Sequence, residues 1–219
     1  MKRNGHAVVL RVYLVVAFAY IFAPLAALIL MSFHAGRIQS FPIENFSLRW
    51  YAEAWSNPAF RDGLWTSLRV AALVAPLSTV LGFISAHYLC RHSPRKPLVY
   101  AAFVSLPAFV PLLLSGIAMV PYYRQIHLYG SLWAIVVAHV CYCSPFALVM
   151  TYVSYQSLNI ELEQAARNLC ASARRVVISV VLPQLWPTLL AVAAISALIS
   201  WDEFILAWFV GGFAKPCPP

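Results

Sequence analysis

The chain has 219 residues, of which 62% are apolar and only 10% charged, with a formal net charge of +8. A soluble domain carries about 25% charged residues, and here the charges stand in short segments between long uncharged runs, which excludes an ordinary soluble domain. The basic residues flank apolar runs and do not interleave with aromatics, so the positive balance points to membrane orientation and not to nucleic acid.

Spanning a bilayer core takes ~20 largely apolar residues, and five segments reach that length. The first is about 12–33; its uncharged stretch exceeds the ~7–15 residues of a signal-peptide core, so it reads as a retained span. An outer connection, about 34–63, follows. It contains Phe46-Ser-Leu-Arg-Trp-Tyr51 and Trp55 and reads as an interfacial amphipathic segment. The second span is about 64–90, the third about 98–121 and the fourth about 131–154. An inner connection over 155–183 leads to the fifth span, about 185–212. The tail, Lys215-Pro-Cys-Pro-Pro219, cannot be helical.

Helix is the forced conformation of these runs, because lipid cannot satisfy backbone N–H and C=O groups and the runs lack the alternation of a barrel strand. The expected fold class is therefore all-α: an integral membrane bundle of five helices, with residues 1–213 as one transmembrane domain and 214–219 as an irregular tail. Lys2, Arg3, Arg11, Arg91, Arg95, Lys96, Arg167, Arg174 and Arg175 lie on one side of the membrane, against Arg37, Arg49, Arg61 and Arg124 on the other. That bias places the N-terminus in the cytoplasm.

The inner connection carries the most information. Leu162, Ala165, Ala166 and Leu169 recur at i, i+3, i+4 and i+7, one face of a short helix. Asn159 is a candidate N-cap, and Glu161 and Glu163 sit where the helix dipole favours acids. Glu163 and Arg167 have the i,i+4 spacing of an ion pair. Such a helix serves either as a plain connector or as an element that docks in another protein's groove.

Gln164-Ala165-Ala166, Cys170-Ala171-Ser172 and Val180-x-Leu182-Pro183 resemble the EAA loop of ABC-importer permeases: Glu-Ala-Ala, three residues, Gly, nine residues, then a β-branched residue, any residue and Leu-Pro. Two positions depart from it. Gln164 stands where the family usually has Glu, and Cys170 stands where it has Gly. If position 170 needs positive φ, any side chain there is strained. Leu106-Pro-Ala-Phe-Val-Pro111, Ser144-Pro-Phe146 and Ser200-Trp-Asp-Glu-Phe204 are similar to the spermidine/putrescine branch. The resemblance implies a multi-pass permease of the bacterial inner membrane that imports a polyamine or a similar small solute. It implies that Glu163, Gln164, Ala165, Ala166, Leu169, Cys170, Leu182 and Pro183 belong to a loop that couples to a separate ATPase. It further implies a second permease subunit and a periplasmic substrate-binding protein as partners. Family members carry a sixth span and the fifth is the last here, so a truncated, non-transporting remnant is the alternative expectation.

No Gly-rich phosphate loop with Lys is present, so ATP is expected on the partner ATPase and no cofactor in this chain. No metal site and no enzyme activity are expected: the five cysteines, Cys141-x-Cys143 included, read as small core thiols. His87, His127 and His139 are isolated and read as hydrogen-bonded bundle residues. Asp202 and Glu203 are the acids within a span, and acids at membrane depth face a cavity or a partner. They fit either an ion pair with Arg69 that ties the second span to the fifth, or an anionic outer mouth for a cationic solute. Tyr122 and Tyr123, with Tyr129, fit either a solute path or an interfacial aromatic belt.

Overall fold

A computed structural model describes residues 3–36, 45–92 and 97–212. Arg37 and Glu44 in the outer connection, Arg95 and Lys96, and the expected irregular tail lie outside the described residues. The chain divides into two units, Met1–Gly63 and Leu64–Pro219.

The first unit holds α1 (Arg3–Ser32) and α2 (Arg49–Ser56). From Val8 onward α1 is apolar apart from Arg11 and has no buried residue, as befits a helix solvated by lipid. The amphipathic segment expected around Phe46–Trp55 is α2. It is tied to the end of α1 by Trp50, whose indole N–H donates to the His34 carbonyl at 2.8 Å, and by Tyr51, whose hydroxyl lies 2.6 Å from that of Ser32.

The second unit is a helical bundle. It contains α3 (Pro58–Arg91, beginning in the first unit), α4 (Pro97–Phe109), α5 (Leu112–Gln125), α6 (Leu132–Gln156), α7 (Ile160–Asn168), α8 (Ala173–Val176), α9 (Leu182–Asp202) and α10 (Ile205–Val210). A π-helical turn, Val177–Val181, joins α8 to α9. Among the described residues four helices are long and apolar enough to cross a membrane: Val8–Ser32, Pro58–Arg91, Leu132–Gln156 and the continuous stretch Ala173–Asp202. The pair α4–α5 makes a fifth if it is one broken span.

That pair corrects the expectation of one straight helix over 98–121. The chain bends by 98° between Phe109 and Leu112. Pro111 adopts φ −54° and ψ 132°, lacks an N–H, and disfavours helical backbone at Val110. A similar correction applies to the fifth span. Helix begins at Ala173, inside the expected inner connection, and ends at Asp202; Glu203 and Phe204 interrupt it before α10. Over 30 residues at 1.5 Å per residue this stretch is ~45 Å long, well beyond the ~30 Å hydrocarbon core, so about ten residues project past it.

Small residues set the helix spacing. On α3, Val74, Ser78, Gly82 and Ala86 form a buried stripe at every fourth position. A Cβ at Gly82 would lie 2.6 Å from the Ala147 carbonyl carbon, so α3 and α6 touch backbone to backbone there, the close approach that small residues permit between membrane helices. Towards the inner end, Ala86, Leu148, Tyr155, Val181, Leu185 and Leu189 form one core cluster. A second joins α5, α6 and α10 through Tyr123, Ala134, Ala138, Leu206 and Val210.

Candidate functional site

Helix α7 forms where the spacing of Leu162, Ala165, Ala166 and Leu169 predicts it. The side chain of Asn159 caps it, accepting from the Glu161 N–H at 2.8 Å. Its C-terminus is closed by two reversed bonds. The Ala171 N–H donates to the Ala166 carbonyl at 3.1 Å, and the Cys170 N–H to the Arg167 carbonyl at 2.9 Å. This is the Schellman arrangement, and it requires a left-handed residue at its centre. Cys170 is that residue, at φ 59°. The strain expected if position 170 needs positive φ is therefore present.

The burial of α7 is the reverse of an ordinary surface helix. Ile160, Leu162 and Leu169 are exposed, Leu169 to 84%, whereas Glu163 is only 4% exposed. Glu163 is the buried side chain of the helix. The apolar stripe thus points away from the bundle and an acid points into it.

Glu163 survives burial because Arg91, the last residue of α3, meets it with a fork of donors. Arg91 Nε donates to Oε1 at 3.1 Å and to Oε2 at 2.9 Å, and Nη2 also donates to Oε1. Removing one partner of such a pair costs about 3–5 kcal/mol, since the other charge is left buried and alone. The guanidinium carbon of Arg91 also lies 4.7 Å from the ring centroid of Tyr155 on α6, within cation–π range. The Tyr155 hydroxyl shares a 2.7 Å hydrogen bond with His87 Nδ1, one turn before Arg91 on α3. The expected pair of Glu163 with Arg167 does not form, because the buried fork outcompetes an exposed i,i+4 contact.

Beyond α7, a groove of ≈ 580 Å³ is lined by Ala166, Leu169, Cys170, Ser172, Arg175 and Val180 among others. Gln164 and Ala165 are exposed on α7. The Leu182-Pro183 step follows the π turn for a physical reason. Pro183 offers no N–H to the preceding turn, so the backbone widens: the Leu182 N–H reaches five residues back to the Val177 carbonyl. Gln184 Nε2 donates to the Val180 carbonyl at 2.8 Å.

At the opposite end of the bundle the expected charges do not come together. Among the described residues the ion pairs are Arg49–Glu53 and Arg91–Glu163, so Arg69 pairs with neither Asp202 nor Glu203. Arg69 is exposed on α3. Glu203 turns back on its own chain, where Oε1 accepts the Leu206 N–H at 3.0 Å and caps α10. Asp202 is exposed as the last residue of α9. Tyr123 is 3% exposed and packed in the α5–α6–α10 core, which removes it from a solute path; Tyr122 is 60% exposed. His139 is hydrogen-bonded in the bundle as expected, with Nδ1 2.9 Å from the Ser200 hydroxyl.

Residues 78–216 match the family described as the inner membrane component of binding-protein-dependent transport systems. The chain belongs to that family. It is an ABC-importer permease, a multi-pass protein of the bacterial inner membrane, and its family is one of transport permeases and not of enzymes. The match favours this reading over the remnant alternative. The permease is 24% identical over 201 residues to the spermidine/putrescine transport system permease protein PotC of Escherichia coli K12, covering 91% of this chain and 75% of PotC. It is 26% identical over 208 residues to the putrescine transport system permease protein PotI of the same organism, covering 92% of this chain and 74% of PotI. In fold it is similar to a chain of a bacterial ABC transporter that imports the acidic polysaccharide alginate, with TM-score 0.70 at 18% identity over 96% of this chain and 76% of that one. It is also similar to the inward-facing MetNI methionine transporter, with TM-score 0.57 at 22% identity over 64% of this chain and 68% of that one.

Proposed function

We propose that α7 and the groove beside it dock a separate ATP-hydrolysing subunit, and that the permease carries a polyamine or a similar small cation inward. The observation that carries the docking is the inverted burial of α7. An apolar stripe left exposed at the end of the bundle that the basic residues assign to the cytoplasm needs a cover. A cleft on a protein partner supplies one, in the manner of a helix seated in a groove. ATP would then bind to that partner. A second permease subunit and an extracytoplasmic substrate-binding protein complete the assembly that the family's description implies.

Two observations support a cationic solute. The curated relatives PotC and PotI are named for spermidine and putrescine transport. Asp202 closes α9, where the negative end of the helix dipole disfavours an acid, so helix stability does not account for it. Glu203 has a sufficient structural role as a cap, which leaves Asp202 as the acid presented to solute.

Docking is tested by co-purification of the ATPase from membranes. Ala166→Arg places a long cation beside the exposed stripe and is expected to abolish recovery of the ATPase; undiminished recovery would remove the docking assignment. Uptake of radiolabelled putrescine tests the solute: Asp202→Asn is expected to weaken apparent affinity, and an unchanged affinity would dissociate Asp202 from it.

A further inference from the structure

The chain joins α7 directly to α6 through residues 157–159 and to α8 through residues 169–172. Neither connection reaches α3. With its apolar stripe facing outward, α7 has little hydrophobic area holding it to the bundle. Its one buried side chain is Glu163, and the partner of Glu163 ends α3, 72 positions earlier in the sequence.

We propose that Arg91 is a positioning residue for transport: its fork on Glu163 is the strut that carries movement of α7 into α3. This rests on the docking reading given above. The geometry suits the task. A bidentate guanidinium–carboxylate pair resists rotation where a single hydrogen bond would pivot. The other face of the guanidinium bears on Tyr155 of α6, and Tyr155 is bonded in turn to His87 of α3. The strut is therefore braced against two spans, α3 and α6, before it meets α7. Displacement of α7 by a docked ATPase pushes along α3 instead of bending the short linkers that flank α7. Rigid-body rocking of spans is the motion that alternating access requires.

The experiment uses the assembled importer in proteoliposomes, with solute imported per ATP hydrolysed as the readout. Arg91→Gln is expected to leave the ATPase bound and hydrolysing while the ratio falls about 10-fold, within the usual range of coupling between sites. The exchange Arg91→Glu with Glu163→Arg is expected to restore most of the ratio. A wild-type ratio in Arg91→Gln overturns the strut, as does a fallen ratio that the exchange fails to restore. Should a single variant not accumulate in the membrane, Arg91→Lys keeps the charge and loses the fork; a fallen ratio supports the strut and an unchanged one overturns it. Absence of bound ATPase from the unaltered permease would instead overturn the docking reading, so the two failures are distinguishable.

Discussion

Replacing Cys170 by glycine is expected to stabilise the α7 terminus. Cys170 sits at φ 59°, a conformation that costs an L-residue ~1–2 kcal/mol and costs glycine almost nothing. Glycine in turn loosens the unfolded chain, which takes back ~0.4–1 kcal/mol. Central values of ~1.5 and ~0.7 kcal/mol leave a net gain of about 0.8 kcal/mol, held locally in the two bonds that the Cys170 and Ala171 N–H groups donate to Arg167 and Ala166. Amide hydrogen exchange over residues 165–172, in detergent micelles, reads this directly. Exchange of the two amides is expected to slow roughly two- to five-fold, because local opening is rarer by the same free energy. Cys170→Ala is the control: it removes the thiol and keeps the Cβ, so it should exchange like the unaltered protein. Equal protection in the glycine and alanine variants would refute the reasoning, since it would mean that backbone strain at position 170 is not what limits the turn.

Gly82→Ala is expected to destabilise the bundle, because the added Cβ would stand 2.6 to 2.8 Å from backbone and Cβ atoms of Ala147. Overpacking of this kind costs ~1–3 kcal/mol, and it should appear as an earlier midpoint in unfolding by denaturing detergent. At Glu203 the cap and the charge separate cleanly. Glu203→Gln keeps an acceptor for the Leu206 N–H and should leave stability unchanged, whereas Glu203→Ala should lose ~0.5–2 kcal/mol, as at other helix caps. Equal unfolding midpoints for the two variants would show that the cap contributes nothing.

Much of the inner loop is legible in the sequence. The spacing of Leu162, Ala165, Ala166 and Leu169, the Asn159 cap and the glycine-like position of Cys170 are all local properties, and α7 follows them. The break at Pro111 has a local signal too, since Leu106-Pro-Ala-Phe-Val-Pro111 carries two prolines; an apolar run reads as one span only if they are ignored. The Arg91–Glu163 pair leaves no such signal. Along the chain Arg91 is one of several basic residues flanking a span, and Glu163 has a plausible partner four residues away.

Entry into a membrane as helices and the end of the bundle that bears α7 follow from the order of residues, and so does the approximate place of each apolar run, though not the break at Pro111 or the early start of the last helix at Ala173. Partition into lipid depends on the length of an apolar run and the charges at its ends, and both are written along the chain. Packing settled the rest: the apolar face of α7 turns outward, Glu163 is buried, Arg69 forms no ion pair with Asp202 or Glu203, and Tyr123 belongs to a core. Each of those depends on which distant segments meet, and a buried charge takes whatever counter-charge the packed helices bring within reach.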